Sequence, residues 1–131
     1  MHSSFPEPST LKVMFRCTSF CLQLFAPLFV GASLVIASPQ GHMDADYIVS
    51  LLVEHDISFF MTVPALGLQY YSRPAIKQCH SLRSAMFIGE PMPMELVHLI
   101  HQNVPQGVGV YNTYGANAFI LIAVSLAQVA R

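Results

Sequence analysis

Three groups of residues in this chain have the types and spacing to do chemistry. Glu95, His98 and His101 recur at intervals of three, so a helix would set them on neighbouring positions, the beginning of a metal site. No further carboxylate or histidine falls at a matching spacing, so solvated helix histidines are the simpler reading and no metal ligand is assigned. The thiols are Cys17, Cys21 and Cys79. An odd count without a Cys-x-x-Cys pair makes a poor disulfide framework and a poor zinc site, and a place in the core accounts for them. The third group is Gly89-Glu90 together with Asn112-Thr113-Tyr114-Gly115, two polar, glycine-bearing steps that each follow an apolar run.

Those two steps need a scaffold, and the composition says what kind. The chain has 131 residues, 53% of them hydrophobic and 10% charged, with a formal net charge of -1. A soluble domain averages about 25% charged residues. The shortfall marks either a membrane association or a core piece whose apolar surface other sequence covers. With 6 Lys and Arg in all, there is no basic footprint for nucleic acid.

Residues 17 to 43 carry no Asp, Glu, Lys or Arg. Their apolar heart, 20–37, is about the minimum length for a spanning helix. Lys12 and Arg16 precede it, and Val35-Ile36-Ala37 has the look of a signal-peptidase site. A secreted or membrane-anchored chain is therefore the alternative to a cytoplasmic one. Pro27, Gly31 and Gln23 interrupt the run, which suits a buried helix over 20–30, a turn, and a buried strand over 33–37.

Beyond this point helices and strands alternate. Asp44 is placed to cap a helix that runs to about His55, with Ile48, Leu51, Leu52 and His55 on one face. Residues 57–63 are a nearly continuous apolar run, as in a strand covered on both sides. Pro64 opens a short helix through about Tyr71, and 72–80 read as a polar connection. Residues 84–88 form a strand closed by Gly89. Pro93 and Glu95 suit the first turn of a helix with Leu96, Val97 and Ile100 inside. Residues 108–112 form the next strand. The pattern predicts an α/β fold with a largely parallel sheet. Ligands of such sheets bind beyond the C-terminal strand ends, which are Met86–Glu90 and Asn112–Gly115 here.

At these places the chain resembles a known family. "PQGHMDADYIVSLLVEHDISFFMTVPAL" is similar to a Gly-His-x-Asp turn, helix, strand and Val-Pro step of the AMP-binding, adenylate-forming enzymes, nonribosomal peptide synthetase adenylation domains above all. "SLRSAMFIGEPMPMELVHLI" resembles their "SLR…GGE.LP.EL" segment, "VYNTYGANA" their "NxYGPTE" motif, and "LQLFAPLFVGASLVIA" their "WEIFxPLLxGAxLVxA". The four run in family order. The resemblance divides the chain into a poorly matched, flexible segment 1–19, a partial adenylation domain 20–118 from the N-terminal subdomain, and a divergent apolar tail 119–131.

The resemblance implies activation of a carboxylic acid by ATP to an acyl-AMP, with Mg2+ as the metal and transfer to a phosphopantetheine carrier or coenzyme A. It places Gly89 and Glu90 against adenine and ribose, Asn112, Thr113 and Gly115 at the adenine edge, and Tyr114 on the adenine ring, a stacking role that an aromatic can fill. It lines the acyl pocket with Ala65, Met86, Ile88, Thr113, Leu121 and Ile122, an apolar set that implies a hydrophobic acid. Strand core is an equal reading of Met86 and Ile88.

The departures bear on activity. The Thr and Glu of "NxYGPTE" are Asn117 and Ala118 here, and Ala116 replaces the Pro. An alanine side chain has no oxygen with which to ligate a hard cation. The Asp that anchors a substrate amino group aligns with Thr18 or falls in a gap. No Gly/Ser/Thr-rich phosphate loop with Lys occurs, and the family's ribose-binding Asp and catalytic Lys would lie past Arg131. No catalytic residue is assigned, and the chain is expected to be inactive alone. A nucleotide- or protein-binding remnant without enzyme activity is the alternative.

Overall fold

A computed structural model gives the structure, which describes residues 12–15, 28–29, 31–105, 107–114 and 122–125. Its strands are β1 (Lys12–Phe15), β2 (Ser33–Ile36), β3 (Phe59–Thr62), β4 (Ser84–Ile88), β5 (Gly109–Tyr114) and β6 (Ile122–Ser125). Its longer helices are α1 (Ala45–Glu54), α2 (Pro64–Tyr71) and α3 (Met94–Asn103). Short 3-10 turns cover Gly41–Met43 and Pro74–Gln78.

The strands form one sheet in the order β2-β1-β3-β4-β5-β6. β1 to β5 pair in parallel, and β6 joins β5 antiparallel. The predicted α/β class and largely parallel sheet are therefore what the chain adopts. The order reverses between β1 and β3, which makes their C-terminal ends the switch point of a doubly wound sheet.

Local chemistry explains the element ends. The Asp44 carboxylate accepts a hydrogen bond from the Tyr47 N–H at 3.1 Å and caps α1. At the other end Asp56 takes a left-handed φ of 52°. The Asp56 N–H then donates to the Val53 carbonyl at 3.4 Å and the Ile57 N–H to the Leu52 carbonyl at 3.1 Å, the pairing of a Schellman stop. α1 buries Ala45, Ile48, Val49 and Leu52. His55, which the helical spacing put on that face, caps the helix and is exposed. α3 buries Leu96, Val97 and Ile100, as its spacing predicts.

These helix faces meet Phe60, Ala85, Phe87 and Val110 in one core cluster. In β4, buried Ala85 and Phe87 alternate with half-buried Ser84, Met86 and Ile88, so the helices cover one face of that strand. Polar-looking 72–80 contributes buried Ile76 and Cys79, held by the 3-10 turn.

Two strands lie where the sequence shows no strand signal. β1 falls within the segment read as flexible, and it pairs on both sides, with β2 and with β3. β6 falls within the segment read as a divergent tail. Its pairing also lengthens β5, since Tyr114 pairs with Ile122 and Thr113 with Ala123. Thr113 and Tyr114 thus belong to the strand and do not follow it. The expected helix over 20–30 lies mostly outside the described residues; Leu28 and Phe29 are helical, and Gly31 has a φ of 73°, as a helix-stopping glycine requires. No helix among the described residues is long and apolar enough to cross a membrane.

Candidate functional site

The site assembles where β3, β4 and β5 end. β3 leads through Val63 into α2, which starts at Pro64 because proline fits the first helical position. β4 leads into Gly89, whose φ of 92° turns the chain sharply. A Cβ at Gly89 would meet nothing closer than Val63 Cγ1 at 3.8 Å. The requirement for glycine is conformational, not a matter of space. The turn brings Glu90 back to α2, where its carboxylate accepts a hydrogen bond from the Ala65 N–H at 3.2 Å.

Ala65 and Glu90, assigned from sequence to opposite partners in the site, are thus in direct contact, both exposed at the rim. Sequence reasoning missed that contact. The signal was present: a helix that begins Val-Pro-Ala has no side chain at its cap, so a remote acceptor has to serve its first turn.

Met86 and Ile88 share the half-buried face of β4, and register pairs them with Tyr111 and Thr113 of β5. Asn112 pairs with Phe87 instead, one step out of phase. Its side-chain carbonyl oxygen is buried and has no hydrogen-bond partner among the described residues. An orphaned buried acceptor is costly unless a donor arrives. An amino group of a bound base is a fitting donor, so the residue suits the adenine edge chemically. Tyr114 lies at the end of β5, and Ile122 at the start of β6. Gly115 and Leu121 lie outside the described residues, as do Thr18, Asn117 and Ala118.

The remaining polar groups are structural. The Tyr70 hydroxyl donates to the His42 carbonyl at 2.8 Å, and the Tyr47 hydroxyl accepts from the Ser38 N–H at 3.0 Å. The hydrogen bonds from Ser38 hold the Tyr47 phenol below its ordinary pKa. Burial raises the thiol of Cys79 and the phenol of Tyr71 above theirs. His98 is exposed and His101 half-buried on α3. No group of three or more His, Cys, Asp or Glu residues able to hold a metal occurs among the described residues.

Comparison with known proteins follows the same residues. The family model described as AMP-binding enzyme matches residues 10–127, which takes in both β1 and β6. The phosphinothricin tripeptide synthetase PhsB of Streptomyces viridochromogenes is 32% identical over 113 residues, 84% of this chain and 9% of that protein. Tyrocidine synthase 3 of Brevibacillus parabrevis is 29% identical over 119 residues, 88% of this chain and 2% of that protein. The fold is that of the nonribosomal peptide synthetase FmoA3 in its AMPPNP-bound form, with a TM-score of 0.74 at 22% identity over 85% of this chain and 13% of the other. The anthranilate CoA ligase AuaEII in complex with anthranoyl-AMP gives 0.70 at 20% identity, over 84% and 22%. The chain thus spans less than a tenth of the two synthetases.

Proposed function

Because the chain belongs to the family of AMP-binding enzymes, we propose that it carries part of the adenine and acyl pockets of an ATP-dependent, carboxylic-acid-activating ligase and forms no acyl-adenylate alone. The observation that carries the nucleotide half is the buried carbonyl oxygen of Asn112 in β5, unpartnered among the described residues. It has the polarity to accept the amino group of adenine. Tyr114 would supply a ring for the base, and Gly89 a turn without side chain against which the nucleoside can lie.

The acyl half rests on Ala65, Met86 and Ile88, with Thr113, Leu121 and Ile122 as further lining. Every one of these but Thr113 is apolar, so the acid bound there is hydrophobic. No carboxylate is available at Thr18 to pair with a substrate amino group, which disfavours an α-amino acid. The acceptor of the acyl group is a carrier phosphopantetheine or coenzyme A, as among its relatives, and the chain acts in the cytoplasm.

The inactivity follows from side-chain chemistry. The position that resembles the family's Mg2+ ligand is Ala118, whose side chain offers no oxygen. The residues do not fit a metal there, and no step through Mg2+ is derived. Without charge neutralisation on the phosphates, attack of a carboxylate on the α-phosphate loses its main electrostatic support.

Two measurements on the purified chain test this. ATP–pyrophosphate exchange with a panel of aliphatic and aromatic acids is expected at background; robust exchange would refute the inactivity. Calorimetry with AMP is expected to show binding. Absence of heat at millimolar AMP would instead leave a remnant that binds no nucleotide.

A further inference from the structure

We propose that Glu90 is a positioning residue whose carboxylate ties the turn entering α2 to the turn leaving β4, so that the two walls of the cleft hold one arrangement. The accounting of the first turn of α2 carries this. Pro64 has no N–H to satisfy. The N–H groups of Leu66 and Gly67 both donate to the Val63 carbonyl, at 3.2 and 3.0 Å. That leaves the Ala65 N–H, and Glu90, 25 residues away, takes it at 3.2 Å. Val63 makes no side-chain cap bond. Glu90 therefore does for α2 what Asp44 does for α1, but from a different strand. A carboxylate at a helix N-terminus is also favoured by the helix dipole.

The geometry around the contact is made for it. β3 and β4 run in register through Thr62 and Phe87, which sets Val63-Pro64-Ala65 beside Ile88-Gly89-Glu90. The left-handed turn at Gly89 then reverses the chain so that Glu90 reaches back. Only the naming of the walls as acyl and nucleotide sides rests on the proposed function. The tether needs no ligand, and it occupies one carboxylate oxygen of Glu90, which leaves the other free to accept a further hydrogen bond.

The test is amide hydrogen exchange and 15N relaxation on the ligand-free chain and three variants. Glu90→Ala should speed exchange of the Ala65 amide about tenfold, the loss expected for one net hydrogen bond to a charged group. It should also loosen the backbone at Gly89. Exchange at Leu52 and Val97, in α1 and α3, should stay as in the parent. Glu90→Gln keeps an acceptor of the same reach and should restore most of the protection. Adding Val63→Ser to Glu90→Ala supplies a local cap. It should slow Ala65 exchange again while Gly89 stays loose, because the cap is replaced and the tether is not. An unchanged Ala65 amide in Glu90→Ala would overturn the proposal. So would a uniform rise that includes Leu52 and Val97, or a Glu90→Gln variant as exchange-prone as Glu90→Ala. Failure to bind AMP would sink the proposed function and leave these readouts intact.

Discussion

Gly67 lies against the ring of Phe87. A Cβ built on Gly67 would stand 2.5 Å from Phe87 Cε1 and 3.2 Å from Leu96 Cδ2. α2 therefore sits on the sheet with only backbone between its axis and the aromatic ring, and the same spot receives α3. Alanine is favoured over glycine by about 1 kcal/mol in a helix interior. Here the overlap outweighs that gain, since overpacking a core costs about 1–3 kcal/mol. Gly67→Ala should lower stability by up to about 2 kcal/mol net in chemical denaturation. A more stable Gly67→Ala variant would show that α2 shifts freely.

Tyr71 poses the opposite case. Its ring packs edge-on against Phe87 at 6.1 Å between centroids, yet its hydroxyl is buried and unpartnered. Tyr71→Phe removes an unsatisfied polar group without changing the packing shape. It should be neutral or stabilising by about 1 kcal/mol, which urea denaturation would read. The substitution should also act on alkaline stability. Burial raises the Tyr71 pKa above its ordinary 10.0 and that of Cys79 above 9.0. Both groups ionise first in the unfolded chain, so the stability they carry is complete below pH 9 and falls as pH rises through 9 and 10. Tyr71→Phe should flatten the upper part of that fall, and Cys79→Ala the lower part.

Asp56 ends α1 in the left-handed region, at a φ of 52°. Aspartate tolerates that conformation, but glycine adopts it without steric cost. Asp56→Gly should stabilise the chain by about 0.5–1 kcal/mol, visible as a higher midpoint in thermal unfolding. A loss of stability would mean that the Asp56 carboxylate has a role beyond the turn.

Asn112 links fold and proposed ligand. Asn112→Ala removes the orphaned acceptor, so stability should hold or rise slightly while AMP affinity falls about tenfold in calorimetry. Equal affinity in the two chains would detach Asn112 from the nucleotide.

The parallel α/β core was legible in the sequence because each of its elements carries a local signal. Asp44 announces α1, Pro64 announces α2, and the apolar runs 57–63 and 84–88 mark β3 and β4. β1 and β6 were not legible, since no Gly or Pro closes Lys12–Phe15 or Ile122–Ser125 as Pro39, Pro64 and Gly89 follow β2, β3 and β4. Only the completed sheet specifies them. The site was legible in its residue types through a resemblance, but not in its contacts. The contact of Glu90 with Ala65 was not legible because nothing in the sequence around Glu90 shows that an amide 25 residues away needs an acceptor.

The seam between β1 and β3 joins Val13 to Phe59 and Met14 to Phe60, two register pairs where the neighbouring seams have four or five. Among the described residues, the fully buried cluster under the helices runs from Ala45 onward, with Val35 and Ala37 packed against it. Opening of that seam would part the ribbon of β1 and β2 from the rest of the sheet. When it peels away, β3 becomes an unprotected edge carrying Phe59, Phe60 and Met61, and the chain exchanges an internal seam for a template on which another strand can grow.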